Sequence, residues 1–96
     1  EIVTAGRIKL DPYRYRVLVD DEEVTLAPME FTILKILMEN RGRPVSRETL
    51  LIRVWGYDFE GNDRVVDNHV KKLRRSLGGA SNQIKTVIKR GYELEE

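Results

Sequence analysis

The stretch Asp63-Arg64-Val65-Val66-Asp67-Asn68-His69-Val70-Lys71-Lys72-Leu73-Arg74-Arg75-Ser76-Leu77-Gly78-Gly79 decides how this chain is read. Val66, Val70, Leu73 and Leu77 recur at +4, +3 and +4, which predicts an α-helix from near Asp63 to the glycine pair, with one apolar stripe against a core. At about 100° per residue, Arg64, Asn68, Lys71, Lys72 and Arg75 fall on the opposite side. Cations anchored this way on an exposed helix face meet the physical requirement for entering a DNA major groove. A solvated helix face would carry the same pattern, and charge alone does not separate the two.

Downstream, Ile84-Lys85-Thr86-Val87-Ile88 and Tyr92-Glu93-Leu94 flank Lys89-Arg90-Gly91, which predicts a β-hairpin with two adjacent cations at its tip. Upstream, Ser46 is a good N-cap for a second helix with Glu48 in its first turn, Leu50, Leu51, Val54 and Trp55 on one face, and Gly56 at its end. A further helix opens at Pro28, where proline suits the first helical position and Glu30 favours the positive helix start. Its residues Met29, Phe31, Ile33, Leu34, Ile36, Leu37 and Met38 leave Thr32, Lys35 and Glu39 as a narrow polar stripe, so it is the core spine, with Gly42 as its stop. From Arg7 to Leu26 the period is two: Ile8 and Leu10, then Tyr13, Tyr15, Val17 and Val19, then Val24 and Leu26 after an Asp20-Asp21 turn. This predicts an antiparallel meander with one wet face, preceded by a linker-like lead over residues 1–6.

Ninety-six residues with 41% hydrophobic and 34% charged side chains make one globular domain, not a disordered tail. No apolar run approaches a membrane span, and the first six residues lack the pattern of a signal peptide. The absence of cysteine excludes disulfides, thiol catalysis and zinc ribbons and fits a cytoplasmic setting, while the single His69 cannot by itself make a metal site. The net charge of +1 hides a polarised chain. Asp11, Asp20, Asp21, Glu22, Glu23 and Glu30 crowd residues 11–30, whereas Arg64, Lys71, Lys72, Arg74 and Arg75 face only Asp67 in residues 64–76.

Four motifs in order carry a family resemblance. They are Leu26-Ala27-Pro28-Met29-Glu30-Phe31, Val45-Ser46-Arg47-Glu48-Thr49-Leu50 through Val54-Trp55-Gly56, Arg64-Val65-Val66-Asp67-Asn68-His69-Val70 through Leu73-Arg74-Arg75, and Thr86-Val87 with Arg90-Gly91-Tyr92. From about Ile8 to Leu94 the chain resembles the winged helix-turn-helix effector domain of OmpR/PhoB-class response regulators. The resemblance implies an α+β fold: an N-terminal antiparallel β-meander, a three-helix core and a C-terminal hairpin wing, over residues 1–96 as a single domain. It implies sequence-specific binding of double-stranded DNA, with recognition helix 64–77 in the major groove and wing 84–94 at the minor groove. Val65, Asn68 and Lys72 would face base edges, and Arg64, His69, Lys71 and Arg74 would contact phosphate. The helical wheel puts Arg74 on the flank and favours Arg75, and Lys89 and Arg90 join from the wing tip. The resemblance further implies RNA polymerase as a partner through Tyr57, Asp58, Phe59, Glu60, Gly61, Asn62 and Asp63, unless these form a plain solvated loop. It implies a homodimer on a direct-repeat operator, no cofactor, and a phosphorylated receiver domain that this chain lacks, as in an excised effector domain of a two-component system.

Three positions depart from the family. Ala27 stands where the family places Thr or Ser, forgoing a helix cap. Asn68 stands where an apolar residue is common, and asparagine can bond adenine N6 and N7 together. Ile88-Lys89 replaces the wing's usual Arg-Gly, which removes that arginine from the minor groove.

Other functions have less to work with. Asp67 and His69 point about 200° apart on a helix, so with Ser76 they make no proton relay. No glycine-rich phosphate loop is present, and no aromatic residues interleave with the cations to stack RNA bases. The competing reading is a winged helix used for protein–protein contact, whose recognition face should be diluted by acids or large apolar residues.

Overall fold

The computed structural model describes all 96 residues. Four antiparallel strands, β1 (Val3–Ala5), β2 (Ile8–Asp11), β3 (Arg16–Val19) and β4 (Glu22–Val24), pair in sequence order. Three helices follow, α1 (Pro28–Glu39), α2 (Arg47–Trp55) and α3 (Arg64–Leu77), then a short 3-10 helix (Gly78–Gln83) and a hairpin of β5 (Ile84–Val87) and β6 (Gly91–Leu94). This is a winged helix with a meander in front, the α+β arrangement expected.

In the meander the registers Ile8↔Val19 and Leu10↔Val17 put four buried side chains on one face, with Ala5 opposite Ile8 extending it. Asp20 and Asp21 both have φ above 50°, the backbone of a two-residue hairpin turn, which aspartate tolerates better than most residues. Two expectations are corrected here. Val3–Ala5, placed in a linker-like lead, is an edge strand with Ala5 fully buried. Tyr13 and Tyr15 do not continue the inward alternation, because the Asp11 carboxylate accepts the backbone N–H of Tyr13 and Arg14 and closes a turn there. Both rings are exposed, Tyr15 lying tilted beside Phe31 at 5.0 Å between centroids.

α1 starts at Pro28 and buries Phe31, Ile33, Leu34, Ile36, Leu37 and Met38. Its end comes before Gly42: Asn40 caps it, its carboxamide and its backbone N–H both donating to the Ile36 carbonyl. α2 begins on Ser46, whose hydroxyl accepts the Thr49 N–H at 3.0 Å, and ends at Gly56 with φ 95°. The apolar stripe of α3 is buried as its spacing requires, Val66, Val70, Leu73 and Leu77 all being 1% exposed or less. Gly78 ends α3 at φ 56°, but the chain coils on through the 3-10 helix to Gln83, a buried anchor with no signature in the sequence pattern. Its carboxamide donates to the Ala5 and Glu95 carbonyls and accepts the Arg7 N–H, tying β1 to the end of the chain.

The wing is fastened on its inner side. Val45 and Tyr92 exchange backbone hydrogen bonds of 2.8 and 3.0 Å, so the residue before the Ser46 cap of α2 pairs with β6. Gly91 has φ 115°, and a Cβ there would stand 2.0 Å from the Val45 carbonyl oxygen. Only glycine admits this approach.

Candidate nucleic-acid interface

α3 and the wing tip form one face, and the residues expected on it separate into free and committed groups. Arg64, Asn68, Lys71, Lys72 and Arg75 are exposed on α3, as are Lys89 and Arg90 at the hairpin tip. Val65 is half-buried against the core, with only part of its side chain left for a base edge. Ile88 is 82% exposed beside Lys89, whose φ of 65° belongs to the tight three-residue turn closed by the Arg90 N–H on the Val87 carbonyl.

Arg74 is not free. Its guanidinium donates to the Ile84 carbonyl from Nε and Nη2 and to Thr86 Oγ1, and lies 5.5 Å from the Tyr92 ring centroid. A phosphate would have to displace these bonds, so Arg74 clamps α3 to the wing and Arg75, which the wheel favoured, is the exposed arginine of that turn. His69 is partly committed too: Nδ1 bonds Glu30 Oε2 and the ring tilts against Trp55 at 5.3 Å. Glu30, read as an acid that favours the positive start of α1, is 4% exposed. Ala27 at the N-cap makes no side-chain bond, and Glu30 reaches across to α3.

The acid of α3 is held inward. Asp67 accepts Arg47 Nε at 3.1 Å, Arg47 Nη2 at 2.7 Å and the Tyr92 hydroxyl at 2.6 Å. Asp63 joins Arg47 at 3.2 Å. One carboxylate therefore links α2, α3 and the wing. Desolvation pulls the Arg47 guanidinium down, but the bond to Asp67 and the charges of Asp67, Asp63 and Tyr92 outweigh it and raise it above its usual value. Burial, then the bond to Asp67, pushes the Tyr92 phenol up to about 12, so it stays a neutral donor.

The loop from Tyr57 to Asp63 is half anchored. Phe59 packs on Trp55 at 5.9 Å and against Gly61, and the Asn62 side chain accepts the Arg64 N–H at 2.9 Å, which makes Asn62 the side-chain cap of α3. Tyr57 is 86% exposed, with Asp58 and Glu60 exposed around it.

Across the molecule the cations divide by partner. Arg7, Lys9, Arg14, Arg16, Arg41, Arg47 and Arg53 each pair with an acid. Arg64, Lys71, Lys72, Arg75, Lys89 and Arg90 pair with none, and all six lie on α3 or the wing tip; Lys35 on α1, Arg43 before α2 and Lys85 on β5 are the other exposed cations without an acid. No group of three or more acids, histidines or cysteines is arranged to hold a metal ion, and no helix is long and apolar enough to cross a membrane.

Comparison with known proteins fits this architecture. The family described as "Transcriptional regulatory protein, C terminal" matches residues 21–94. The regulatory protein VanRB of Enterococcus faecalis is 46% identical over 91 residues, and the alkaline phosphatase synthesis transcriptional regulatory protein PhoP of Bacillus subtilis is 36% identical over 97. These alignments cover 95% and 98% of this chain, which spans 40% of the length of each relative. The DNA-binding domain of Klebsiella pneumoniae RstA, solved in complex with the RstA box, superposes with a TM-score of 0.87 at 31% identity, covering 99% of this chain and 97% of that one. Response regulator DrrB of Thermotoga maritima, an OmpR/PhoB homologue, gives a TM-score of 0.87 at 32% identity, covering 99% of this chain and 44% of that one. The chain therefore belongs to the family of C-terminal domains of transcriptional regulatory proteins of the OmpR/PhoB class.

Proposed function

We propose that this chain binds double-stranded DNA sequence-specifically, as the effector domain of a two-component transcriptional regulator. α3 enters the major groove and the wing tip lies at the minor groove. The observation that carries the reading is the concentration of unpaired cations: six on α3 and the wing tip have no acidic partner, while the acid of α3 is turned to Arg47 and Tyr92. Free cations on one face supply the phosphate neutralisation that dominates affinity, and base edges supply the specificity. The RstA domain, solved in complex with the RstA box, supports DNA binding by this fold. Arg64, Lys71 and Arg75 act on phosphates, Asn68 and Lys72 read bases, and Val65 adds an apolar edge. Lys89 and Arg90 take the minor-groove side in place of the arginine that Ile88 displaces.

A single module makes a small interface, so operator binding uses two copies on neighbouring direct repeats. The exposed Tyr57, Asp58 and Glu60 of the loop before α3 supply an RNA polymerase contact. Because the matched relatives are longer than this chain, regulation by a phosphorylated receiver belongs to the rest of such a protein.

Selection from a randomised duplex library, followed by salt titration, tests the reading. A recurring short motif with tighter binding than a scrambled control is expected. Lys72→Ala should relax discrimination at one base pair by about 1–3 kcal/mol, whereas Lys71→Ala should weaken all sequences alike and lower the salt slope by about one. No enrichment and no binding at low salt would transfer the fold to protein–protein contact.

A further inference from the structure

Glu30 is the carboxylate of the interior, 4% exposed, and DNA binding as described above leaves it without a role. A buried carboxylate is unfavourable unless it finds a partner or a proton. Its partner is the Nδ1 nitrogen of His69, near the middle of the proposed recognition helix. The His69 side chain is 21% exposed. No buried side-chain nitrogen or oxygen in the molecule lacks a hydrogen bond, and Nε2 of His69 has none, so Nε2 reaches solvent. It does so next to Asn68 and ahead of Lys71 and Lys72, at the flank of the cationic face.

The two nitrogens are chemically linked. A neutral imidazole that donates from Nδ1 to a carboxylate carries a bare lone pair on Nε2, and a phosphate oxygen repels it. Only the imidazolium donates from both nitrogens, and a carboxylate on one side with a phosphate on the other favours that form. No other charged group bonds the ring. On α1, Lys35 is exposed and Glu39 pairs with Arg53, which takes that α2 residue as well. On α2, Arg47 is held by Asp63 and Asp67, and Glu48 is exposed. The loop presents Phe59 only through Trp55, with Asp58 and Glu60 exposed, and on α3 itself Lys72 lies one turn on.

We propose that Glu30 is a positioning residue for a DNA phosphate contact: it holds His69 with Nδ1–H turned inward, and on binding a proton from solvent settles on Nε2, which donates it to a phosphate oxygen. The proposal rests on the DNA-binding reading above. Proton uptake on binding makes affinity fall as pH rises, by at most about tenfold per pH unit.

The duplex recovered by selection is titrated between about pH 6 and 8 at fixed ionic strength with the wild type, Glu30→Gln and His69→Gln, each first shown to unfold cooperatively. The wild type should bind about fivefold or more tighter at the acid end, and His69→Gln should be flat. Glu30→Gln should bind more weakly near pH 7 and need lower pH to recover. His69 is the sole histidine, so its ring-nitrogen resonances are unambiguous in the wild type even if a variant fails to fold. Nε2 should be bare in the free protein at the alkaline end and protonated in the complex. A bound ring with bare Nε2, or a His69→Gln profile matching the wild type, would overturn the proposal. Tight binding that is flat with pH refutes the proton contact and leaves DNA binding intact. No binding to any duplex at any pH refutes the DNA reading, and the contact with it.

Discussion

Replacing Asp67 with Ala removes the acceptor that joins α2, α3 and the wing, and its cost can be worked bond by bond. The Arg47 pair is bidentate, but the two side chains are 38% and 39% exposed, so solvent screening leaves it a minor part of the loss. The Tyr92 hydroxyl is a different case. Tyr92 is 7% exposed, and its O–H would be left without an acceptor, which costs about 1–1.5 kcal/mol. Asp67 also lies in the first turn of α3, where a negative charge contributes about 0.3–1 kcal/mol. Together these predict a loss of about 1.5–2.5 kcal/mol, a drop of roughly 6–20 °C in Tm for a domain of this size.

The assay is a double-mutant cycle by denaturant unfolding. Tyr92→Phe alone should cost about 1 kcal/mol, and the double variant should cost little more than Asp67→Ala, giving a coupling near 1 kcal/mol. Additive costs, with coupling inside the roughly 0.3 kcal/mol error of such cycles, would refute the claim that this hydroxyl depends on Asp67. DNA affinity supplies an independent reading. Removing an acid from a DNA-binding face ordinarily tightens binding. If Asp67 serves instead to hold the wing against α3, Asp67→Ala binds more weakly despite its added positive charge.

Three further outcomes follow from the same geometry. Gly91→Ala places a Cβ 2.0 Å from the Val45 carbonyl at a φ of 115°, and should destabilise by more than about 2 kcal/mol in thermal unfolding, with the Val45–Tyr92 pairing losing its hydrogen-exchange protection. Ala27→Ser restores a hydroxyl at an extended N-cap whose backbone already suits capping, and should raise stability by about 0.5–2 kcal/mol in denaturant unfolding. The Tyr92 phenol titrates at about 12 in the folded chain against 10 unfolded, so its contribution is complete below pH 10 and is lost as pH rises toward 12. Unfolding free energies measured across that window should fall more steeply for the wild type than for Tyr92→Phe.

Periodicity made the face of each long element legible. The +4, +3, +4 spacing of Val66, Val70, Leu73 and Leu77 names the buried side of α3 without any knowledge of what covers it. Local chemistry worked equally well at Pro28 and Ser46, because first-turn signals act within three or four residues. Contacts that cross the fold left no such trace. Arg74 bonds a backbone carbonyl at Ile84, and every residue has a carbonyl. Glu30 looks like a helix-start acid until α3 brings His69 to it from 39 residues away. Tyr13 and Tyr15 alternate like strand residues, but the Asx turn on Asp11 overrides the period. β1 offers three residues, too few for alternation to register, and its place is fixed by Gln83 from the far end of the chain.

The placement of Asp67 joins the stability of the domain to the character of its binding face. An acid on a recognition helix would oppose every phosphate that approaches, yet its charge is spent on Arg47, and its second bond holds the Tyr92 ring. Arg74 grips the wing at Ile84 and Thr86 of β5, with its guanidinium 5.5 Å from the centroid of that ring. The two residues of α3 with charges of opposite sign are thus both turned into fasteners between helix and wing, each by groups that a strand or neighbouring helix supplies. What remains pointing outward from α3 is Arg64, Lys71, Lys72 and Arg75, cations with no partner inside the molecule. Loosening either fastener releases a charge onto that face as well as freeing the wing. Wing position and surface charge are therefore set by the same bonds, and substitutions at Asp67 or Arg74 should change stability and the salt dependence of DNA binding together.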